Sequence, residues 1–181
     1  MVELLLGKGA FIGSINKYGN TPLHLATLRG LTGMVELLLE QGASIEARNE
    51  YRNTPLHLAA LNGHTGMVEL LLRKGAPIHA MGHLHYTPLH FASQNGHLGT
   101  VELLLRQGAS IEAADGEEYT PLHFASWCGE TAVVELLLEK GASTEAVSRY
   151  NTTPFHLAGQ RGHTGVVELL LAKGASAGHT I

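Results

Sequence analysis

A single cysteine, Cys128, stands in the whole sequence. That excludes an intramolecular disulfide framework and fits a reducing compartment. Cationic side chains are scarce as well: 12 Lys+Arg oppose 16 Asp+Glu, a formal net charge of -4. A nucleic-acid partner normally requires a concentrated basic face, so that class of partner is set aside. No apolar run approaches membrane-spanning length, because a glutamate interrupts each leucine-rich stretch, and no membrane partner is expected. The segment Met1–Gly9 has no basic lead region and too short an apolar stretch for a secretion signal. The expectation is a soluble intracellular protein of the cytoplasm or nucleus. A Gly-rich phosphate loop, Gly-x-Ser-x-Gly and His-Glu-x-x-His are all missing, so neither an enzyme nor a cofactor is expected.

What the sequence does contain is repetition. Hydrophobic residues make up 44% of the 181 positions, enough for a real core. Thr-Pro-Leu-His occurs at Thr21–His24, Thr54–His57, Thr87–His90 and Thr120–His123, and Thr153–His156 is a fifth copy with Phe155 in place of leucine. Val-Glu-Leu-Leu-Leu starts at Val2, Val35, Val68, Val101, Val134 and Val167, and Gly-Ala follows each copy. Both motifs step by about 33 residues, the spacing of a repeat architecture. Nothing else stands apart, so one domain is expected.

Each unit reads as two helices and an extended finger. In the second unit Thr54 suits an N-cap and Pro55 the first helical position, where no N–H is needed. Gly63 breaks the first helix. Met67, Val68, Leu70, Leu71 and Leu72 form the apolar side of the second, with Glu69 facing solvent. A lone helix pair of this size cannot bury its apolar face, whereas stacked copies cover one another. The run Gly19–Ala26, then Gly30, Val35–Leu39, Gly42 and Ala43, resembles an ankyrin repeat. The resemblance covers nearly the whole chain: a half repeat at 1–15, then repeats at 16–48, 49–81, 82–114, 115–147 and 148–181. It implies an all-α solenoid with projecting β-hairpin-like fingers. It also implies a partner protein bound on the concave face made by fingers and first helices.

Most of the twelve histidines belong to the repeat. His24, His57, His90, His123 and His156 close the Thr-Pro-Leu-His motif, and the resemblance implies that their rings tie adjacent units. His64, His97 and His163 follow the inter-helix glycine. Outside the pattern stand His79, His83, His85 and His179. The first three share one finger, but a zinc site needs three or four convergent ligands, so a solvated finger is the expectation and no metal is assigned. Cys128 lacks a partner base and reads as a small helix-surface residue. Asn151-Thr152-Thr153 matches the glycosylation pattern, which an intracellular chain does not use.

The aromatics point to binding. Phe91, Phe124 and Phe155 are expected to replace core leucines, with Phe11 the fourth phenylalanine. All five tyrosines fall on fingers: Tyr18, Tyr51, Tyr86, Tyr119 and Tyr150. Trp127 sits at the exposed end of a first helix, flanked by Gln94 and Gln160 in the neighbouring units. Tyr and Trp are enriched at binding hot spots. The candidate protein-binding set is therefore Tyr18, Tyr51, Leu84, Tyr86, Tyr119, Trp127, Tyr150, Gln94 and Gln160. Tyr86, Tyr119 and Tyr150 are expected to form one continuous strip with Trp127; packing between fingers is the alternative for any single tyrosine. The finger turn favours positive φ, yet that position reads Gly19, Arg52, His85, Glu118 and Asn151, so either units two to four are strained or their turns differ. Leu4–Leu6 and Leu169–Leu171 lack the polar outer faces that terminal repeats carry. Weak self-association through these ends, as a segment of a longer array, is the alternative function.

Overall fold

The computed structural model describes residues 12–175. Leu4–Leu6, Phe11 and His179 lie outside the described residues. Among the described residues ten α-helices follow one another in pairs: α1 Pro22–Leu28 with α2 Thr32–Glu40, α3 Pro55–Leu61 with α4 Thr65–Arg73, and α5 Pro88–Gln94 with α6 Leu98–Arg106. The last two pairs are α7 Pro121–Cys128 with α8 Thr131–Glu139, and α9 Pro154–Arg161 with α10 Thr164–Ala172. First helices stack on first helices in chain order, and second helices on second from α4 onward. The architecture is all-α, a stack of helix-turn-helix units with projecting fingers. Among the described residues no segment is a β-strand. Each finger is instead a tight turn, closed in the second unit by Asn49 N–H to Asn53 C=O at 3.1 Å and Arg52 N–H to Asn49 C=O at 2.8 Å.

The core follows from the periodic leucines and valines. Leu23, Leu56, Leu89 and Leu122 occupy the same first-helix position and are all buried, as are Val35, Val68, Val101 and Val134 on the second helices. Glu69, Glu102 and Glu135, the next residue on α4, α6 and α8, are exposed. This one-sided pattern lets each unit cover its neighbour, giving one continuous core from Leu23 to Leu170. In the last unit Val166 and Leu170 are buried, while Leu171 is exposed. Second helices end on Schellman-type turns: Gly75 has φ 91°, and Ala76 N–H reaches Leu71 C=O at 2.9 Å.

The motif histidine is a latch between units. Thr54 N–H donates to His57 Nδ1 at 3.1 Å, and the Thr54 hydroxyl lies 2.9 Å from the same nitrogen. His57 Nε2 then meets Tyr86 C=O, in the next unit, at 3.0 Å. His24, His90 and His123 repeat this geometry toward Asn53, Tyr119 and Thr152. A backbone N–H faces Nδ1 and a carbonyl faces Nε2, so the ring must be neutral with its proton on Nε2. Burial pushes His57, His90 and His123 down to about 4. A second set of latches joins the helix ends: His64, His97 and His163 place Nε2 on the carbonyls of Leu28, Leu61 and Trp127. Seven of the eight repeat histidines thus join neighbouring units, and the eighth, His156, accepts Thr153 N–H within its own unit at 3.2 Å.

The finger turns are left-handed, with non-glycine residues accepting the strain. Arg52 (φ 57°), His85 (63°), Glu118 (67°) and Asn151 (54°) all occupy that region. The third finger differs further. In the other units a side-chain acceptor opens the finger: Asn16, Asn49, Asp115 and Ser148 each accept N–H groups two and four residues ahead. Gly82 has no such acceptor. The turn tightens to a 3-10 helix at His83–His85, Leu84 becomes left-handed (φ 53°), and Tyr86 N–H falls back on His83 C=O. The structure therefore shows both outcomes the sequence left open: strained turns of one kind in units two and four, and a different turn in unit three.

Candidate protein-binding groove

Phe91 and Phe124 are not core residues. They hold the place of Leu25, which is exposed, and of Leu58 and Leu157, which are buried, two positions beyond the motif leucine. That place faces the concave side, where the fingers project, and both rings are half-buried. Phe155 alone sits at the place of a core leucine, and it too is half-buried. The expectation of core phenylalanines holds only for Phe155, which packs against the core; Phe91 and Phe124 stay half-buried, at a place whose cover differs between units, hiding Leu58 and Leu157 but leaving Leu25 exposed.

Aromatic rings converge there. The Tyr86 ring stacks on His90 at 6.0 Å and meets Phe124 edge-on at 5.0 Å. Tyr119 sets its ring edge-on to His123 at 5.4 Å and to Phe124 at 6.3 Å. Trp127, one turn of α7 beyond Phe124, is half-buried. Gly129 ends that helix in the left-handed region (φ 77°), and the Trp127 carbonyl is held by His163. The Arg161 guanidinium lies 3.7 Å from the centroid of the indole. Between these side chains runs an open groove of about 300 Å³ lined by Tyr86, Gln94, Tyr119, Phe124, Trp127 and Leu157, with His123 beneath.

The structure brings together four of the candidate residues, Tyr86, Tyr119, Trp127 and Gln94. The others lie apart. Tyr18, Tyr51, Leu84 and Tyr150 stand exposed at finger tips, and Gln160 is exposed outside the groove. Tyr150 breaks the expected strip because it holds the third place of its finger, whereas Tyr86 and Tyr119 hold the fifth, next to the helix. The Glu117 carboxylate beside it raises the pKa of its phenol. His123, Phe124 and Leu157 also line the groove and were not singled out from the sequence. The available signal was the pairing of a fifth-place tyrosine with a phenylalanine five residues on, at Tyr86–Phe91 and Tyr119–Phe124.

The lining carries no formal charge, and its one titratable base, His123, is neutral and committed to Thr120 and Thr152. Burial raises the Tyr86 phenol, with Asp115 adding to the effect. Burial, and then Glu130, likewise raise the Cys128 thiol, which disfavours the thiolate a nucleophile needs. His79, His83 and His85 are all exposed. Among the described residues no three His, Cys, Asp or Glu side chains are placed to hold a metal, and no helix is long and apolar enough to cross a membrane. The arrangement offers apolar and aromatic contact area with amide and phenol donors at its edges, the composition of a recognition surface.

Stacked helix pairs, a latch at each joint and a concave aromatic groove define a repeat solenoid. The family model described as ankyrin repeats (3 copies) matches residues 1–82, 79–148 and 114–180, and the chain belongs to the ankyrin-repeat family. Ankyrin repeats are protein–protein interaction modules with a non-catalytic interaction fold. No curated protein matches the chain.

Proposed function

We propose that this chain is a protein-recognition scaffold or adaptor, and that it binds a partner protein in the groove between the third and fifth units. It acts as one domain of a half repeat, 1–15, and five repeats, 16–48, 49–81, 82–114, 115–147 and 148–181, inside the cell and without catalysis of its own. The observation that carries this reading is the convergence of Tyr86, Tyr119, Phe124 and Trp127 on one open concavity. Large aromatics at the centre of a concave, partly dry surface are where binding energy concentrates. The mechanism is rigid display. The latches fix the unit-to-unit geometry before the partner arrives, so little ordering is left to oppose association.

The test is capture of a partner from native lysate followed by affinity measurement against three proteins: the parent, Trp127→Ala and Glu102→Ala. Trp127→Ala is expected to weaken binding roughly thirtyfold, the effect of a hot-spot truncation of about 2 kcal/mol. Glu102, on the opposite, solvated face, is expected to leave affinity unchanged. Equal binding by the parent and Trp127→Ala would remove the groove from consideration.

A further inference from the structure

The groove has a charged margin that its lining lacks. Arg161, the last residue of α9, is exposed, and its guanidinium lies over the Trp127 ring, 3.7 Å from the ring centroid. Among the described residues no carboxylate lies within ion-pair distance of it. A guanidinium stacked on an indole keeps its N–H edge free, and that edge matches a carboxylate in bidentate fashion. Stacking also fixes the side chain in advance, which lowers the ordering cost of a new ion pair. The fourth finger has the other sign: it carries Asp115, Glu117 and Glu118 just before the lining Tyr119. Glu117 is already paired with Arg149 at 3.4 Å. A carboxylate is therefore drawn to Arg161 and disfavoured near the fourth finger.

We infer that the groove takes a partner segment in which an Asp or Glu side chain lies next to a large apolar one. The carboxylate meets Arg161 at the rim of Trp127, and the apolar side chain enters between Trp127, Phe124 and Tyr119. This inference rests on the groove as the binding site and adds the chemistry of the occupant. Arg161 acts as a specificity residue: with no carboxylate of its own, it discriminates against segments that bring a cation to Trp127, since the guanidinium already covers that face of the ring.

The test is selection of a random peptide display library on the whole protein, with affinities of the selected peptides then measured against variants. Enrichment of Asp or Glu within a few positions of Leu, Phe or Trp is expected. Arg161→Glu, an exposed change checked for folding by circular dichroism, is expected to weaken those peptides roughly tenfold. Replacing the peptide acid by lysine is expected to restore binding to Arg161→Glu. Binding that depends on Trp127 and Tyr119 but not on Arg161 would overturn the carboxylate assignment and leave the groove standing. Peptides insensitive to Trp127→Ala and Tyr119→Ala, or no enrichment over a protein-free control, would overturn both. A preference for phosphorylated over carboxylate versions of the same peptides would replace the occupant by a phosphopeptide.

Discussion

Units one and two and units three to five share one framework but present different concave faces. In the first two units the fifth finger place holds Asn20 and Asn53, and Asn49 Nδ2 donates to Asn20 Oδ1 at 2.9 Å, an amide ladder. The helix places beside it hold Leu25, Leu28, Leu58 and Leu61. In the third and fourth units the fifth place holds Tyr86 and Tyr119, and the helix places hold Phe91, Phe124 and Trp127. The ladder stops at the change. Gly82 brings no side chain to Asn53, whose Oδ1 is left buried without a hydrogen-bond partner. The latches and the buried leucines are the same on both sides of the boundary. Stability is thus spread along the array, whereas recognition chemistry is confined to one part of it, as expected where only the variable positions face a partner.

Acid should break both regions together, and this is the largest effect expected. The latch histidines are neutral when folded, with pKa values lowered to about 4 for His57, His90 and His123 against 6.5 in the open chain. Between these values the unfolded chain binds more protons. The latch contribution is therefore whole above pH 6.5 and is lost as pH falls toward 4. Each histidine contributes a slope on the order of 1 kcal/mol per pH unit in that window. Urea midpoints measured at pH 7.5 and pH 5 should show a large fall at the lower pH. Hydrogen exchange should rise in the amide-ladder units as in the aromatic ones, because His24 is latched and lowered by burial in the same way. A flat urea midpoint would dismiss the latch account.

Binding should separate the regions. Leu28 on α1 holds the place that Trp127 holds on α7. Trp127→Ala is expected to cost about 2 kcal/mol of partner affinity and Leu28→Ala almost none, with circular dichroism unchanged for both. Equal losses by calorimetry would mean that the partner spans the whole concave face.

Smaller effects come from the finger turns. Glu118→Gly relieves a left-handed non-glycine residue and lessens an acidic run. The strain is about 1–2 kcal/mol, offset in part by the greater entropy of glycine in the unfolded chain. A higher urea midpoint is expected, and a lower one would show that Glu118 has a stabilising partner. The smallest gain is expected from Gly82→Asn, which restores the finger acceptor and continues the ladder to Asn53. An added Cβ meets Asn53 Oδ1, the movable end of a side chain, so Asn53 must turn toward the new amide. A net hydrogen bond is worth about 1 kcal/mol. Unchanged or lowered stability of Gly82→Asn would show that Asn53 cannot turn.

Much of this molecule is set by local sequence. The 33-residue period, the Thr-Pro helix starts, the glycines that end helices and the left-handed finger places are all dictated by residues within one turn of the chain. The structure follows them closely: even Arg52 and Glu118, poor residues for φ > 0, adopt the conformation that the register demands. What the third finger does instead was not legible. Losing the acceptor at Gly82 has a consequence only once Leu84 and Tyr86 must place their N–H groups. The groove was half legible. Trp127, Tyr86, Tyr119 and Gln94 were recognisable as exposed-type aromatic and amide positions, but their grouping, and the separation of Tyr150 from them, depended on which finger place faces the neighbouring helix. Phe91 and Phe124 were misplaced in the core because an apolar ring at a helix period looks alike whether or not another unit covers it. Sequence thus determined the unit and its repetition, since caps, turns and periodicity act over a few residues. Only stacking decided which side chains meet across 33-residue steps and which apolar face stays open, because burial in a solenoid is a property of the joint between units and of no unit alone.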